Sequence, residues 1–359
     1  MGTFQMTEQI LGYLTWIDAI VFLISVLTVL YIFLFAIFSW QKRKYAYPSA
    51  DEPSRIAVVY IWSGDYNAFA ENLEALREQT YPRQMYDVYL ISTGEIDRRE
   101  IDALGVELEL FSEVNSDVEL MKQFVERLEE MGREYDVLVL LESNNLISNN
   151  YLERINDALY AGCYAVQTHH VRIESHSIMN RIRAMSDRTN NSIFRLGHAR
   201  IGLSSALLGL GMGFDYEVFC KCVKIPAELD LEKHIECNLL KNGYYIEYLE
   251  DVYTIRNESS IKDQGYKHQM TSSQIKIAAK NQAVKDALST ILFMRWDYAN
   301  KLFQWILPSR KALILLNLLF ASVVTFLDPY LGLKWWLLLL LLVITLVIAR
   351  GPFSKKLPL

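Results

Sequence analysis

The sequence predicts an α/β protein with a mostly parallel sheet, carried on membrane-spanning helices. Three observations lead there. The 359 residues are 52% hydrophobic yet 22% charged, and their mean hydropathy is +0.10, too apolar for an ordinary soluble chain and too charged for one buried in lipid throughout. Long apolar segments lie near both ends. Between them, short apolar runs alternate with amphipathic ones, the pattern of strands joined by helical crossovers.

The first long segment, Ala19 to Trp40, can cross a hydrocarbon core about 30 Å thick. It is followed by Gln41-Lys42-Arg43-Lys44. Basic residues collect on the cytoplasmic side, which places the N-terminus outside. The apolar region is too long for a cleaved signal peptide and has no basic region ahead of it. Asp18, at its outer end, is expected at the interface.

Ile56–Trp62 reads as a buried strand and Phe69–Gln79 as a helix burying Leu73 and Leu76. Asp87–Ser92 and Val106–Phe111 are further strands, with a short helix at Arg98–Ala103 between them, and Val118–Met131 is a long helix. The run Val137-Leu-Val-Leu-Leu141 then delivers Glu142, Ser143, Asn144 and Asn145 to a strand end. Ligands of such sheets bind at the carboxyl ends of the strands. Ser63-Gly64-Asp65, Ser92-Thr93-Gly94 and Glu142-Ser143-Asn144 all fall there.

From Asp286 to Pro308, Leu288, Leu292, Trp296, Leu302, Phe303 and Ile306 recur at near-helical spacing with charged residues between them. This predicts an amphipathic helix lying at the membrane interface, or else a core helix of the central domain. Ala312–Leu327 and Leu333–Ala349 form a hairpin of two spans around the turn signal Asp328-Pro329-Tyr330-Leu331-Gly332. Their basic flanks fall on the same side as Lys42 to Lys44 if there are three spans. The expected organisation is a transmembrane helix in 1–44, a cytoplasmic α/β domain in 45–285, an interfacial helix in 286–309 and a transmembrane hairpin in 310–359.

A net charge of -6 excludes a nucleic-acid surface. Cys163, Cys220, Cys222 and Cys237 lack zinc spacing and read as reduced packing residues. A channel or carrier is disfavoured, because three spans without a polar stripe make a poor pore alone.

Nearly the whole chain resembles the membrane-bound family 2 glycosyltransferases, relatives of cellulose, hyaluronan and poly-N-acetylglucosamine synthases. Asp136 to His170 is similar to that family's strand, D-x-D-N turn and following helix. Ala206 to Phe214, ALLGLGMGF, matches its G-x-G-M segment, and Leu229 to Val252 resembles its T-E-D-L-E helix and the strand behind it. The resemblance implies a GT-A-like, Rossmann-like domain that transfers a sugar from a nucleotide diphosphate, with a carboxylate-held divalent metal on the departing oxygens and an Asp as general base.

The family's uracil-contacting Asp corresponds to Thr93. Its D-x-D falls on Glu142 and Asn144, its T-E-D on Glu228-Leu229-Asp230, and its Q-x-x-R-W on Gln269-Met270-Thr271-Ser272-Ser273. The candidate site is therefore Asp230 as catalytic base, Asp65, Thr93 and Gln269 as nucleotide contacts, and Glu142 with Asn144 as metal ligands. Asp230 reads equally as an acid at the start of the helix Leu231–Lys241. With one carboxylate of the pair and the R-W replaced, the expected protein is a catalytically degenerate scaffold of cell-surface polysaccharide synthesis in the plasma membrane. It would have no resident cofactor, its partners being membrane lipid and an active synthase, an export protein or a second copy. The alternative is a divergent active transferase with a nucleotide- or lipid-linked donor, holding Mn or Mg with a nucleotide diphosphate weakly.

Overall fold

A computed structural model describes the chain except residues 1, 43–46, 63, 95, 97, 103, 112–113, 115, 173–176, 208, 210, 227, 257–271 and 354–359. Of the residues singled out above, Arg43, Lys44, Ser63, Ala103, Gln269, Met270 and Thr271, with Leu208 and Leu210 of ALLGLGMGF, lie outside the described residues. The chain divides into a unit of residues 1–41 and 307–359 and a unit of residues 42–306.

The smaller unit begins with α1 (Gly2–Phe38). Within it, Thr15–Phe38 is long and apolar enough to cross a membrane, as are two helices near the other end of the chain, Arg310–Leu327 and Pro329–Ile348. Asp18 in α1 accepts from the Trp335 indole at 2.8 Å and pairs with Lys334. Lys334 also sits 4.9 Å over the Phe22 ring. The first span is thus fastened to the last by a charge, an indole and a ring. The turn is shorter than the expected Asp328–Gly332, since the last helix already starts at Pro329, capped by Asp328 on the amides of Tyr330 and Leu331. A Cβ on Gly332 would lie 2.6 Å from the Cα of Thr325, so the two helices meet at that glycine.

The larger unit follows the expected alternation: β1 (Ile56–Ile61), α2 (Tyr66–Arg77), β2 (Tyr86–Ser92), α3 (Arg98–Asp102), β3 (Glu107–Leu110), α4 (Asp117–Glu130), β4 (Val137–Glu142), β5 (Asn145–Ile147), α5 (Tyr151–Tyr160) and β6 (Ala165–Arg172). Next come α6 (Ile178–Asn190), a π-helical stretch at Asn191–Leu196, α7 (Gly197–Ala199), β7 (Met212–Asp215), α8 (Tyr216–Val223), α9 (Leu231–Lys241) and β8 (Ile246–Arg256). The sheet order is β3-β2-β1-β4-β7-β6-β8-β5. Pairing is parallel from β3 to β4 and between β6 and β8, and antiparallel around β7 and at β5.

The central strands are apolar on both faces because helices cover both. Ala57, Val59, Leu138 and Leu140 pack under α4, α8 and α9, while Ile56, Val58, Tyr60, Val139 and Leu141 pack under α2 and α5. Ser116 caps α4 by accepting from the amide of Glu119 at 3.1 Å, which fixes where that cover begins.

The stretch expected as one helix over 286–309 is instead the end of α10 (Ser272–Leu292), a break, and α11 (Trp296–Ile306). Met294, at φ 51, ends α10. Its amide returns to the Ile291 carbonyl and that of Arg295 to Thr290, at 3.1 Å each, a Schellman closure with Met where Gly is usual. The polar residues of α11 do not all face solvent. Asp297 accepts from the Ser204 amide at 3.0 Å, and Lys301, fully buried, approaches the Ser205 carbonyl at 3.3 Å and Glu236 of α9 at 3.4 Å. Tyr298 and Leu302 join Leu229, Cys237 and Leu240 in a small core of their own. The helix followed by α12 (Arg310–Leu327) and α13 (Pro329–Ile348) thus has a face committed to the larger unit.

Candidate functional site

The parallel register aligns the carboxyl ends of three neighbouring strands: Ile61 of β1 stands beside Ile91 of β2 and Glu142 of β4. Asp65, Thr93 and Glu142 therefore share one end of the sheet. Asp65 is the N-cap of α2, accepting from the Ala68 amide at 3.0 Å, so its carboxylate already has a structural task. Thr93 is exposed just past β2, and Glu142 is half-buried. Ser143 continues the ladder through its amide to Ile61, and its carbonyl accepts from Asn72 of α2 at 2.6 Å. Asn144 is buried, and its Oδ1 has no hydrogen-bond partner.

Two glycines lead from β4 toward Glu232, two residues past Asp230. The Gly211 amide donates to Leu140 of β4, and the Gly211 carbonyl accepts from the Thr168 amide and hydroxyl at 2.9 Å each. A Cβ there would fall 2.1 Å from the Thr254 hydroxyl, and φ is +76°, so only glycine fits. At the other glycine, Gly209, a Cβ would stand 3.4 Å from Glu232 Oε1. The pair of glycines thus spans from the end of β4 to the first turn of α9.

Asp230 is the N-cap of α9 by position but makes no side-chain cap, and its Oδ1 is buried without a partner. Burial pushes its carboxyl up to about 7; Lys233 pulls against this, while the charge of Glu232 and a hydrogen bond with it add to the rise. Burial alone would lower Lys233, but Asp230, Glu236 and Glu232 outweigh it and hold the amine above its ordinary range. The group can take up or release a proton near neutrality.

Two further features escape sequence pattern. Arg195, in the π-helical stretch, is buried with Tyr248 and Asn191 beside it, and its charge, second to burial, holds His169 down to about 3. His198 is likewise driven to about 3 by burial and by Lys301. As a neutral ring its Nδ1 donates to the Ile193 carbonyl at 2.7 Å and its Nε2 accepts from Gln304 of α11 at 2.8 Å. An amphipathic helix followed by polar residues gives no warning of this, although a π-helical turn often marks a working region.

The resemblance implies a carboxylate-held divalent ion at the β4 end. Hard cations of that kind want several anionic oxygens. The strand end offers one carboxylate, Glu142, and one amide, Asn144, and among the described residues no group of three His, Cys, Asp or Glu side chains is placed to hold a metal. The residues present do not fit a firmly held divalent ion.

No family model and no curated protein matches the chain. Among solved structures, it is similar to the mannosyltransferase PcManGT from Pyrobaculum calidifontis, solved in complex with GDP-Man and Mn2+, at 13% identity and a TM-score of 0.55, with 94% of this chain and 99% of that one covered. A looser likeness is to GalNAc-T7 with UDP, GalNAc and Mn2+, at 8% identity and a TM-score of 0.44, covering 57% of this chain and 44% of that one. The chain therefore carries a GT-A-like glycosyltransferase fold with a mostly parallel sheet, together with three helices long and apolar enough to cross a membrane.

Proposed function

We propose that the chain is a membrane-anchored, catalytically degenerate member of the family 2 glycosyltransferases, acting in cell-surface polysaccharide assembly. In this reading it scaffolds or regulates an active synthase or export partner, or a second copy of itself. The larger unit lies on the cytoplasmic side of the plasma membrane, in keeping with the basic flanks of the three apolar helices.

One observation carries the reading: the end of β4 presents Glu142 and a buried amide, Asn144, where metal-dependent transfer needs paired carboxylates. Calorimetric titration of the full chain in detergent with UDP and with GDP, each with and without manganese, tests it. Manganese is expected to leave affinity unchanged. Manganese-dependent tightening of ten-fold or about 1.4 kcal/mol, or sugar transfer abolished by Asp230→Asn, refutes it.

A second reading is favoured by Asp230, whose carboxyl titrates at about 7 beside Glu232. A base poised there suits a transferase that needs no metal, fed by a nucleotide- or lipid-linked donor. It requires that Glu142→Gln and Asp230→Asn each remove activity.

A further inference from the structure

We propose that the larger unit holds a binding site for a small, free sugar phosphate, between α9, α10 and the connector that follows α8. A cavity of ≈ 330 Å³ opens there, at the small end of the range that ligand sites occupy. It shares no lining residue with Asp65, Thr93, Glu142, Asn144 or Asp230. The cavity is therefore separate from the strand-end site, and the proposal stands whether or not that site transfers sugar.

The sequence of α9 makes the floor of the cavity. His234, Cys237, Asn238 and Lys241 recur three and four residues apart and so share one face of the helix, opposite Glu232 and Glu236. Ile225, Pro226 and Leu229 of the connector give apolar walls, and Gln282 and Lys285 of α10 face them. His234 and Asn238 are only 4% and 8% exposed, so the floor is polar yet withdrawn from bulk water.

The hydrogen bonds already made there define what a ligand must bring. Burial pushes His234 below its ordinary range, which leaves a neutral ring. Its Nε2 lies 2.9 Å from the Cys222 carbonyl and must donate to it, which makes Nδ1 an acceptor. The Asn238 amide donates to the His234 carbonyl at 3.0 Å and that of Gln282 to Asp286 at 2.7 Å, so each keeps an acceptor oxygen. Among the described residues no donor meets His234 Nδ1, Asn238 Oδ1 or Gln282 Oε1. Three acceptors that lack donors suit a ligand with several hydroxyls.

The cations supply the other half. Lys285 pairs at 2.7 Å with Glu228, whose side chain is 76% exposed, and a pair that open is weak enough for a ligand anion to replace the carboxylate. Lys241 stands on the same cavity, 2.8 Å from Asp286. Two ammonium groups against one lining carboxylate, Glu228, favour an anion. Lysine acts as a point charge that suits phosphate, whereas a planar carboxylate is better gripped by the fork of an arginine. Among the described residues no Phe, Tyr or Trp lines the cavity, so the base of a nucleotide would find no ring to stack on.

Calorimetric titration of the full chain in detergent with glucose 6-phosphate tests this, beside inorganic phosphate, glucose and UDP. Saturable binding of glucose 6-phosphate is expected, about ten-fold or more tighter than phosphate or glucose alone and unchanged by saturating UDP. Lys285→Gln and Asn238→Leu are each expected to weaken it about ten-fold. Glu228→Gln is expected to tighten it about two- to five-fold, by removing the competing carboxylate. Lys285 and Glu228 are exposed, so thermal unfolding of those two variants is expected to match the wild type. No saturable binding at millimolar glucose 6-phosphate overturns the proposal. Binding that Lys285→Gln and Glu228→Gln leave unchanged also overturns it, since the anion then sits elsewhere. Abolition by UDP overturns it by moving the ligand to the strand-end site. Inorganic phosphate that binds as tightly as the sugar phosphate overturns it too, because the hydroxyls then contribute nothing.

Discussion

Lys301→Met removes one partner of the buried pair that ties α11 to α9. The lysine is fully buried, and Glu236, whose Oε1 lies 3.4 Å away, is 2% exposed and also accepts from the Leu207 amide at 2.6 Å. At that separation an effective dielectric of about 20 gives a charge–charge term of roughly 5 kcal/mol, from 332/(20 × 3.4). Burial has already taken hydration from both groups, so removing one leaves the other stranded, at a cost of about 3–5 kcal/mol. For a unit of this size that corresponds to a fall in Tm of roughly 6–20 °C. Thermal unfolding of the detergent-solubilised chain reads it directly. Hydrogen exchange at Leu207 reads the local consequence, since that amide donates to the stranded carboxylate. The double variant Lys301→Met with Glu236→Leu is expected to recover most of the loss, because no buried charge remains. A single variant that costs under about 1 kcal/mol refutes the buried pair, since that is the value of an exposed one.

Asp230 gives a prediction in pH. Its folded carboxyl titrates at about 7 against an ordinary 3.8, so within that window the folded chain binds more protons than the unfolded one, and stability falls as pH rises. Asp230→Asn is expected to match the wild type near pH 4 and exceed it above pH 7; parallel profiles in urea unfolding across the window refute this. Met294→Gly replaces a left-handed residue that costs about 1–2 kcal/mol with one that loses about 0.5–1 kcal/mol more backbone entropy, so a net gain of roughly 0.5–1 kcal/mol is expected in thermal unfolding. A loss of stability means that the Met294 side chain, 67% exposed, holds contacts that its exposure denies.

The fold was legible where one physical rule acts alone. Val137–Leu141 is apolar at every position because helices cover both faces of the sheet, so a run of five aliphatic residues sufficed to locate β4 and the strand end at Glu142. Residues 286–309 show where two rules compete. Their spacing is amphipathic, yet amphipathicity does not say which face is buried when both faces have partners. Lys301 and Asp297 turn inward because Glu236 and the Ser204 amide, distant in sequence, need partners there, and that need is written in another helix and another loop. The break at Met294 was invisible for a related reason, since a glycine would have announced the left-handed turn and a methionine does not.

At the candidate site the same limit applies with functional weight. Spacing placed Asp230 at the start of α9, but its proton affinity depends on burial and on Lys233 and Glu232 around it, and the glycine that Glu232 stands beside, Gly209, comes from more than twenty residues earlier. A buried Asp230 carboxyl that titrates at about 7 and a β4 end with one acid are opposite signs: the first favours retained proton transfer, the second removal of metal-dependent transfer. Both hold in one molecule if the chemistry discarded was the metal's alone. The decisive comparison is therefore whether Asp230→Asn changes only the stability profile or removes a transfer activity as well.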